Sequence, residues 1–406
     1  MFRYHTHILP NGMRLAHRSY KSPVAYIAVI INAGVRDEPE GMHGLAHFTE
    51  HMLFKGTLKK NTRQIISYLE EVGGEVDAFT TKEDTVLYAA VPVKYLERAL
   101  SVFSEIVSQS TFPVKEMEKE REVILDEINS YKDNPAEQIF EDFETMVFKG
   151  HPLARSILGT PENLKSIRRA DMADFCQKFY VPSNMVMCTM GEVSSEQLYV
   201  LAEKYFAGMT DQVRPDQRNA FKGYEPRKRE KKKKSYQTHC IIGAEAYGYN
   251  DKKRIPFALL VNLLGGPAML SRLNMLLREK YGLVYNVEAS SAMYSDTGLF
   301  TIYFGCDARN FNRGYGLIMQ ELKRFTEKKM TLSQLEAAKK QYSGQILLSL
   351  ENPEPVMMAM GKSLLFNHNK LTRKSMMSQI QEITPDDILE SAQIMREENL
   401  SMLLYK

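Results

Sequence analysis

The chain has 406 residues, 44% hydrophobic and 25% charged, the balance of a globular protein with core enough for two to three domains. A formal charge of +3 argues against a dedicated nucleic-acid binder. The four cysteines Cys176, Cys188, Cys240 and Cys306 are scattered, no run of 18 apolar residues exists and the N-terminal MFRYHTHILPNG lacks an apolar signal region, so reduced thiols, a cytoplasmic location and no membrane partner are expected.

In chain order, residues 2–20 read as a β-hairpin turning at Pro10-Asn11-Gly12. Val24–Ala33 is a near-continuous apolar strand, hence central in its sheet. GLAHFTEHMLFKGT reads as a helix ending near Gly56. A second amphipathic helix is capped by Asn61 or Thr62 and stopped by Gly73-Gly74. Glu75–Thr81 and Thr85–Pro92 are strands. Leu96, Leu100, Phe103 and Val107 mark one face of a helix, and a long acidic helix spans about Val114–Lys132. Helices follow over 136–150 and 161–179, a strand over Val181–Gly191 and a helix over 194–208. Asp211–Ser235 is poor in apolar residues and ends in the basic run Arg227–Lys234, so it reads as an exposed linker.

After the linker the element order recurs: strand 237–246, helices 254–264 and 269–280, strands 283–293 and 298–306, helices 310–327 and 332–350. Asn134-Pro135 and Asn352-Pro353, like Phe148 and Phe366, stand 218 residues apart. Two similar domains of about 200 residues are therefore expected, 1–215 and 236–406, joined by 216–235.

The residues His47-Phe48-Thr49-Glu50-His51 read H-x-x-E-H. On a helix, positions i and i+4 share a face, so the two imidazoles converge and Glu50 lies beside them. Two imidazoles and a carboxylate form a common catalytic zinc set, and this order is an inverted zinc-peptidase motif. Its chemistry is a water acidified by the ion and deprotonated by a carboxylate. The acidic helix is where a third ligand is to be sought. Glu120 and Glu127, two turns apart, share a face, but Glu116, Glu118, Glu122 and Asp126 sit on the same helix. Spacing alone does not choose among them. At the 218 offset Glu127 maps to Gln345 and Glu120 to Ala338, so only the first domain carries a potential metal site.

With GLAHFTEHMLFKGT, GGEVDAFTTKEDTVLY, EKEREVILDEI and LREKYGLVY, the chain resembles the insulinase/pitrilysin-type zinc peptidases over nearly its whole length. It is most similar to the short branch that includes the β subunit of mitochondrial processing peptidase and its bacterial relatives. The resemblance implies an α+β fold of two homologous domains, each a mainly antiparallel sheet with helices packed on it, together half of a clamshell. It implies one zinc per chain on His47, His51 and Glu127, Glu50 as general base and Glu120 as a supporting carboxylate. It implies that the edge strand in Glu75–Tyr88, with Asp77, Ala78 and Phe79, receives the peptide substrate as an added β-strand. Asp77 departs from the Asn usual there. Arg278 and Tyr285 fit the family's Arg-x6-Tyr pair, two donors suited to a substrate carbonyl and its oxyanion. Because one chain carries both halves of the machinery, a homodimer is expected in which Arg278 and Tyr285 complete the site of the partner chain. The expected activity is endoproteolysis of unfolded peptides, leader-type or general. The alternative is a non-catalytic structural subunit of a larger complex, as respiratory relatives are.

Overall fold

The computed structural model describes residues 4–210, 218–367 and 372–406. The start of the expected hairpin and residues 211–217 of the expected linker lie outside them. The chain forms two compact units, each discontinuous in sequence. The first comprises Met1–Asn129, Arg155–Arg218 and Ser349–Arg373, the second Ser130–Ala154, Asn219–Leu348 and Lys374–Lys406.

The first unit holds a six-stranded sheet of β1 (His5–Ile8), β2 (Arg14–Ser19), β3 (Val24–Ile31), β4 (Glu75–Thr80), β5 (Thr85–Pro92) and β6 (Met185–Gly191), in the order β1-β2-β6-β3-β5-β4. Only the β2–β6 pairing is parallel. β3 lies in the interior, as its apolar run requires: Ile27, Val29 and Ile31 enter one core while Ala28 and Ile30 enter another. The first core is roofed by α1 (Leu45–Leu53), α2 (Thr62–Glu70), α3 (Leu96–Gln109) and the start of α4 (Val114–Asp133). α2 begins with a capping box, the Asn61 side chain accepting from the Gln64 amide, as its sequence promised. On the opposite face, the helix Pro353–Lys362 lies across β3 and β6 and buries Val356, Met357 and Met360. Each such side chain contributes about 1.5–3 kcal/mol on burial.

The second unit has five strands, β7 (Lys228–Lys231), β8 (Thr238–Ala246), β9 (Val284–Met293), β10 (Gly298–Cys306) and β11 (Ser401–Tyr405), in the order β7-β11-β8-β10-β9. Again one pairing, β7–β11, is parallel. The order reproduces β2-β6-β3-β5-β4, so the duplication seen in the sequence is a duplication of topology. α5 (Pro135–Val147) covers β8 and β11 with Ile139, Phe143 and Met146, as the helix Pro353–Lys362 covers β3 and β6. Each sheet thus takes one covering helix from the other half of the sequence.

Part of the segment read as an exposed linker is structured. Lys228–Lys231 is the strand β7, counterpart of β2; Phe221 is buried, and the Tyr224 hydroxyl donates to the Asn399 carbonyl at 2.8 Å. A strand of charged residues carries no apolar alternation, so periodicity misses it. Its charges serve an edge, and Lys231 and Lys233 reach Asp142 and Gln138 of α5. The helix expected at 269–280 is a turn followed by a π-helix, Asn274–Lys280. Among the described residues no helix is long and apolar enough to cross a membrane, and all four cysteines are free thiols.

Candidate metal centre

α1 has two faces. Leu45, Phe48 and Met52 enter the core, which turns His47, Glu50 and His51 to the other side. Its start is set by backbone geometry: Gly44 has φ 94° and Gly159, at φ 74°, crosses it so closely that a Cβ on Gly159 would lie 2.2 Å from the His43 carbonyl oxygen. The first turn is capped from outside the helix. The buried Glu38 carboxylate accepts from the Gly44 amide at 3.1 Å and the Ala46 amide at 2.9 Å, satisfying donors that a glycine N-cap leaves open. Burial raises Glu38 to about 8, against the opposing pull of those amides. Gly159→Ala should cost about 1–3 kcal/mol, from left-handed strain and a backbone clash, and weaken metal binding as His47 shifts; thermal melts of the metal-free protein and metal titration measure the two effects.

α4 buries a stripe of Met117, Arg121, Ile124 and Ile128. The Arg121 guanidinium stacks 5.2 Å over the Phe48 ring and donates to the Ile167 carbonyl. Glu120 and Glu127 flank this stripe and face α1, whereas Glu118, Glu122 and Asp126 are exposed.

The Nε2 atoms of His47 and His51 lie 3.8 and 4.0 Å from Oε2 of Glu127, and one donor atom from each of the three residues falls within 4.8 Å of the others. A tetrahedral ion with bonds near 2.1 Å separates its ligand atoms by about 3.4 Å, so the donors fit a zinc-type ion after small side-chain shifts. Burial, with His51 adding to it, lowers His47 to about 3, so this imidazole is neutral, as a ligand must be. Nδ1 of His51 meets the Glu120 carboxylate at 3.2 Å, and the other Glu120 oxygen is held by Lys55 at 2.6 Å. A carboxylate on the far nitrogen of a metal-ligating imidazole fixes its tautomer and orientation.

Glu50 is buried beside this cluster. Burial raises its carboxyl to about 7, with Asp77 and Glu127 pushing the same way, while a hydrogen bond from Thr80 at 3.4 Å opposes them. Asp77, Ala78 and Phe79 lie on β4, the outermost strand of the first sheet, opposite Tyr88, Leu87 and Val86 of β5. The outer edge of β4 has no strand partner among the described residues, and Asp77 and Phe79 are exposed. Arg278 and Tyr285 belong to the second unit. Arg278 sits on the π-helix near Glu279, and the exposed Tyr285 hydroxyl donates to Asp307 at 2.9 Å.

Sequence reasoning passed over Thr80, Lys55 and Glu38. Lys55 carries a usable signal, since it follows His51 by four residues and lies two positions past the end of the same helix. Thr80 and Glu38 carry none, because their contacts depend on how β4 and the segment before α1 fold back.

The profile described as Insulinase (Peptidase family M16) matches residues 14–161, and that described as Peptidase M16 inactive domain matches 166–342. A Bacillus subtilis protein named as an uncharacterized zinc protease is 32% identical over 353 residues, covering 85% of this chain and 84% of its own. The mitochondrial-processing peptidase subunit beta of Lentinula edodes is 30% identical over 404 residues, covering 95% and 86%. Among solved structures, a peptidase M16 inactive domain from Pseudomonas fluorescens superposes with a TM-score of 0.92 at 20% identity, covering 99% of this chain and 97% of the other. A protease from Helicobacter pylori gives 0.90 at 19% identity, covering both chains fully. The motif carried on α1, the duplicated topology and these likenesses agree, and the chain is a member of the insulinase family of peptidases, M16.

Proposed function

We propose that this protein is a zinc-dependent endopeptidase acting on unfolded or extended peptides, with one zinc per chain on His47, His51 and Glu127. The observation that carries the reading is the buried Glu50 carboxylate set between the three-donor cluster and the open edge strand β4. Bound there, zinc supplies positive charge that polarises the scissile carbonyl and acidifies the attacking water. Glu50 accepts the proton of that water and returns it to the leaving amine. β4 offers its outer edge, which no described strand pairs, to an extended peptide, which gives affinity with little sequence preference. Exposed Glu75 and Asp77 on that strand favour peptides with basic groups. Leader-type segments and general oligopeptides both meet this description, and the free thiols suit a cytoplasmic setting. Stoichiometric zinc and chelator-sensitive cleavage of a quenched peptide test the reading; a metal-free protein that cleaves nothing after zinc loading would leave the structural-subunit alternative.

The catalytic assembly we propose is a homodimeric chamber, in which Arg278 and Tyr285 of one protomer hold the substrate carbonyl over the metal of its partner. Both are exposed donors. If the pair works across chains, an inactive Glu50→Gln protein mixed with an inactive Arg278→Ala protein should recover up to about a quarter of wild-type activity, since random pairing leaves one intact site in half the dimers. No recovery after subunit exchange would assign the pair to its own chain.

A further inference from the structure

The turn between β4 and β5 buries three consecutive charged side chains. Lys82, Glu83 and Asp84 are 5%, 3% and 3% exposed. Such residues are almost never buried unless paired, and each is held by a different segment. Lys82 donates to the Arg155 carbonyl at 2.5 Å. Glu83 pairs with Arg36 at 2.7 Å, and its backbone carbonyl accepts from Arg218 at 2.7 Å. Arg218 also forks onto both Asp37 oxygens, at 2.6 and 2.8 Å. Asp84 pairs with Lys362 at 3.0 Å, at the end of the helix Pro353–Lys362. The backbone adds the amides of Val35 and Arg36 donating to the Thr81 and Lys82 carbonyls.

None of the contacts described above involves His47, His51 or Glu127, and the chemistry proposed above uses none of these charges. Desolvating so many charges is costly even when they are paired, and their common property is the element they hold. The turn is the only covalent link between β4 and its neighbour β5. It also sets Thr80, the last residue of β4, against Glu50.

We propose that Lys362 and Arg218 are positioning residues for peptide binding: through the buried Lys82-Glu83-Asp84 turn they hold β4 in the register that receives an added substrate strand. The inference rests on the peptidase reading. Neither residue lies in the motifs of the first domain; both reach the turn that follows β4 from sequence far beyond it. Loss of either contact leaves a buried carboxylate or carbonyl short of a partner and lets the turn move. Peptide affinity then falls, while the metal, held on α1 and α4, stays.

The test is binding of a short, unstructured, fluorescent Lys- and Arg-rich peptide to full-length zinc-loaded protein carrying Glu50→Gln, which removes turnover. Adding Lys362→Met, which keeps the alkyl stem, or Arg218→Gln should raise the peptide Kd about tenfold, and Lys362→Arg should restore it. Zinc content and affinity should be unchanged in all three. An unchanged peptide Kd in both Lys362→Met and Arg218→Gln overturns the proposal and leaves the peptidase reading standing. Loss of zinc from these variants overturns it too, because the network would then act through the metal. If the parent binds no peptide and the wild type cleaves none, the peptidase reading fails and this inference with it.

Discussion

Replacing Glu50 with Gln should lower kcat for peptide cleavage by about 10²–10⁴-fold and leave the bound metal in place. Gln keeps the size and the contact with Thr80 but accepts no proton. Because Glu50 is not among the three clustered donors, zinc content measured beside kcat separates loss of the base from loss of the ion. The same residue sets the acid limb of the pH profile. Burial raises the metal-free carboxyl to about 7, and a bound dication pulls it down, so kcat/KM should fall tenfold per pH unit at some point below about 7 as Glu50 gains its proton. Its neighbours shift that limb in opposite directions. Thr80→Val removes the donor that favours the carboxylate and moves the limb to higher pH. Asp77→Asn removes a repelling charge and moves it to lower pH. A limb that ignores both changes would belong to another group.

Glu127→Ala should release the metal, and Glu120→Gln should weaken it by about 10–100-fold. The difference follows from their positions. Glu127 faces the Nε2 atoms of both histidines, where it completes the donor set. Glu120 holds only the far nitrogen of His51 and is itself held by Lys55, so its loss frees the imidazole to rotate but removes no donor. Glu122→Ala, the residue after Arg121 on α4, is the control: its side chain is exposed, and affinity should be unchanged. Competition titration of zinc against a chromophoric chelator reads all three. Equal loss in the Glu122 variant would mean that the charge of the helix, not the face it presents, governs binding.

The metal helix was legible because its code is local. The period of α1 puts His47, Glu50 and His51 on the side away from Leu45, Phe48 and Met52, and no distant contact is needed to say so. Glu127 was harder, since seven carboxylates share α4 and spacing ranks none. The inward stripe Met117, Arg121, Ile124 and Ile128 settles the phase, and its apolar members stood in the sequence; an arginine within the stripe obscured them. The strand β7 was hidden because Lys228–Lys231 has the composition of a solvated run and pairs through its backbone. The burial of Lys82, Glu83 and Asp84 was hidden as well: burial of charge depends on partners such as Arg218 and Lys362, more than a hundred positions away in sequence. The repeat of strands and helices announced two domains, but amphipathic periodicity says only that a helix has an apolar face. It does not say which sheet that face will meet.

The exchange of covering helices constrains how the polypeptide reaches its native state. Ala28, Ile30, Val186 and Cys188 find their cover only when residues 353–362 have been made, long after the strands of their own sheet. Until then the leading sheet has a greasy, unshielded side. A truncated product stopping near residue 215 would keep that side bare for good and would be prone to clump, and supplying the missing half as a separate polypeptide is the natural remedy. Each repeat carries its own sheet and lends the other the helix that shields it.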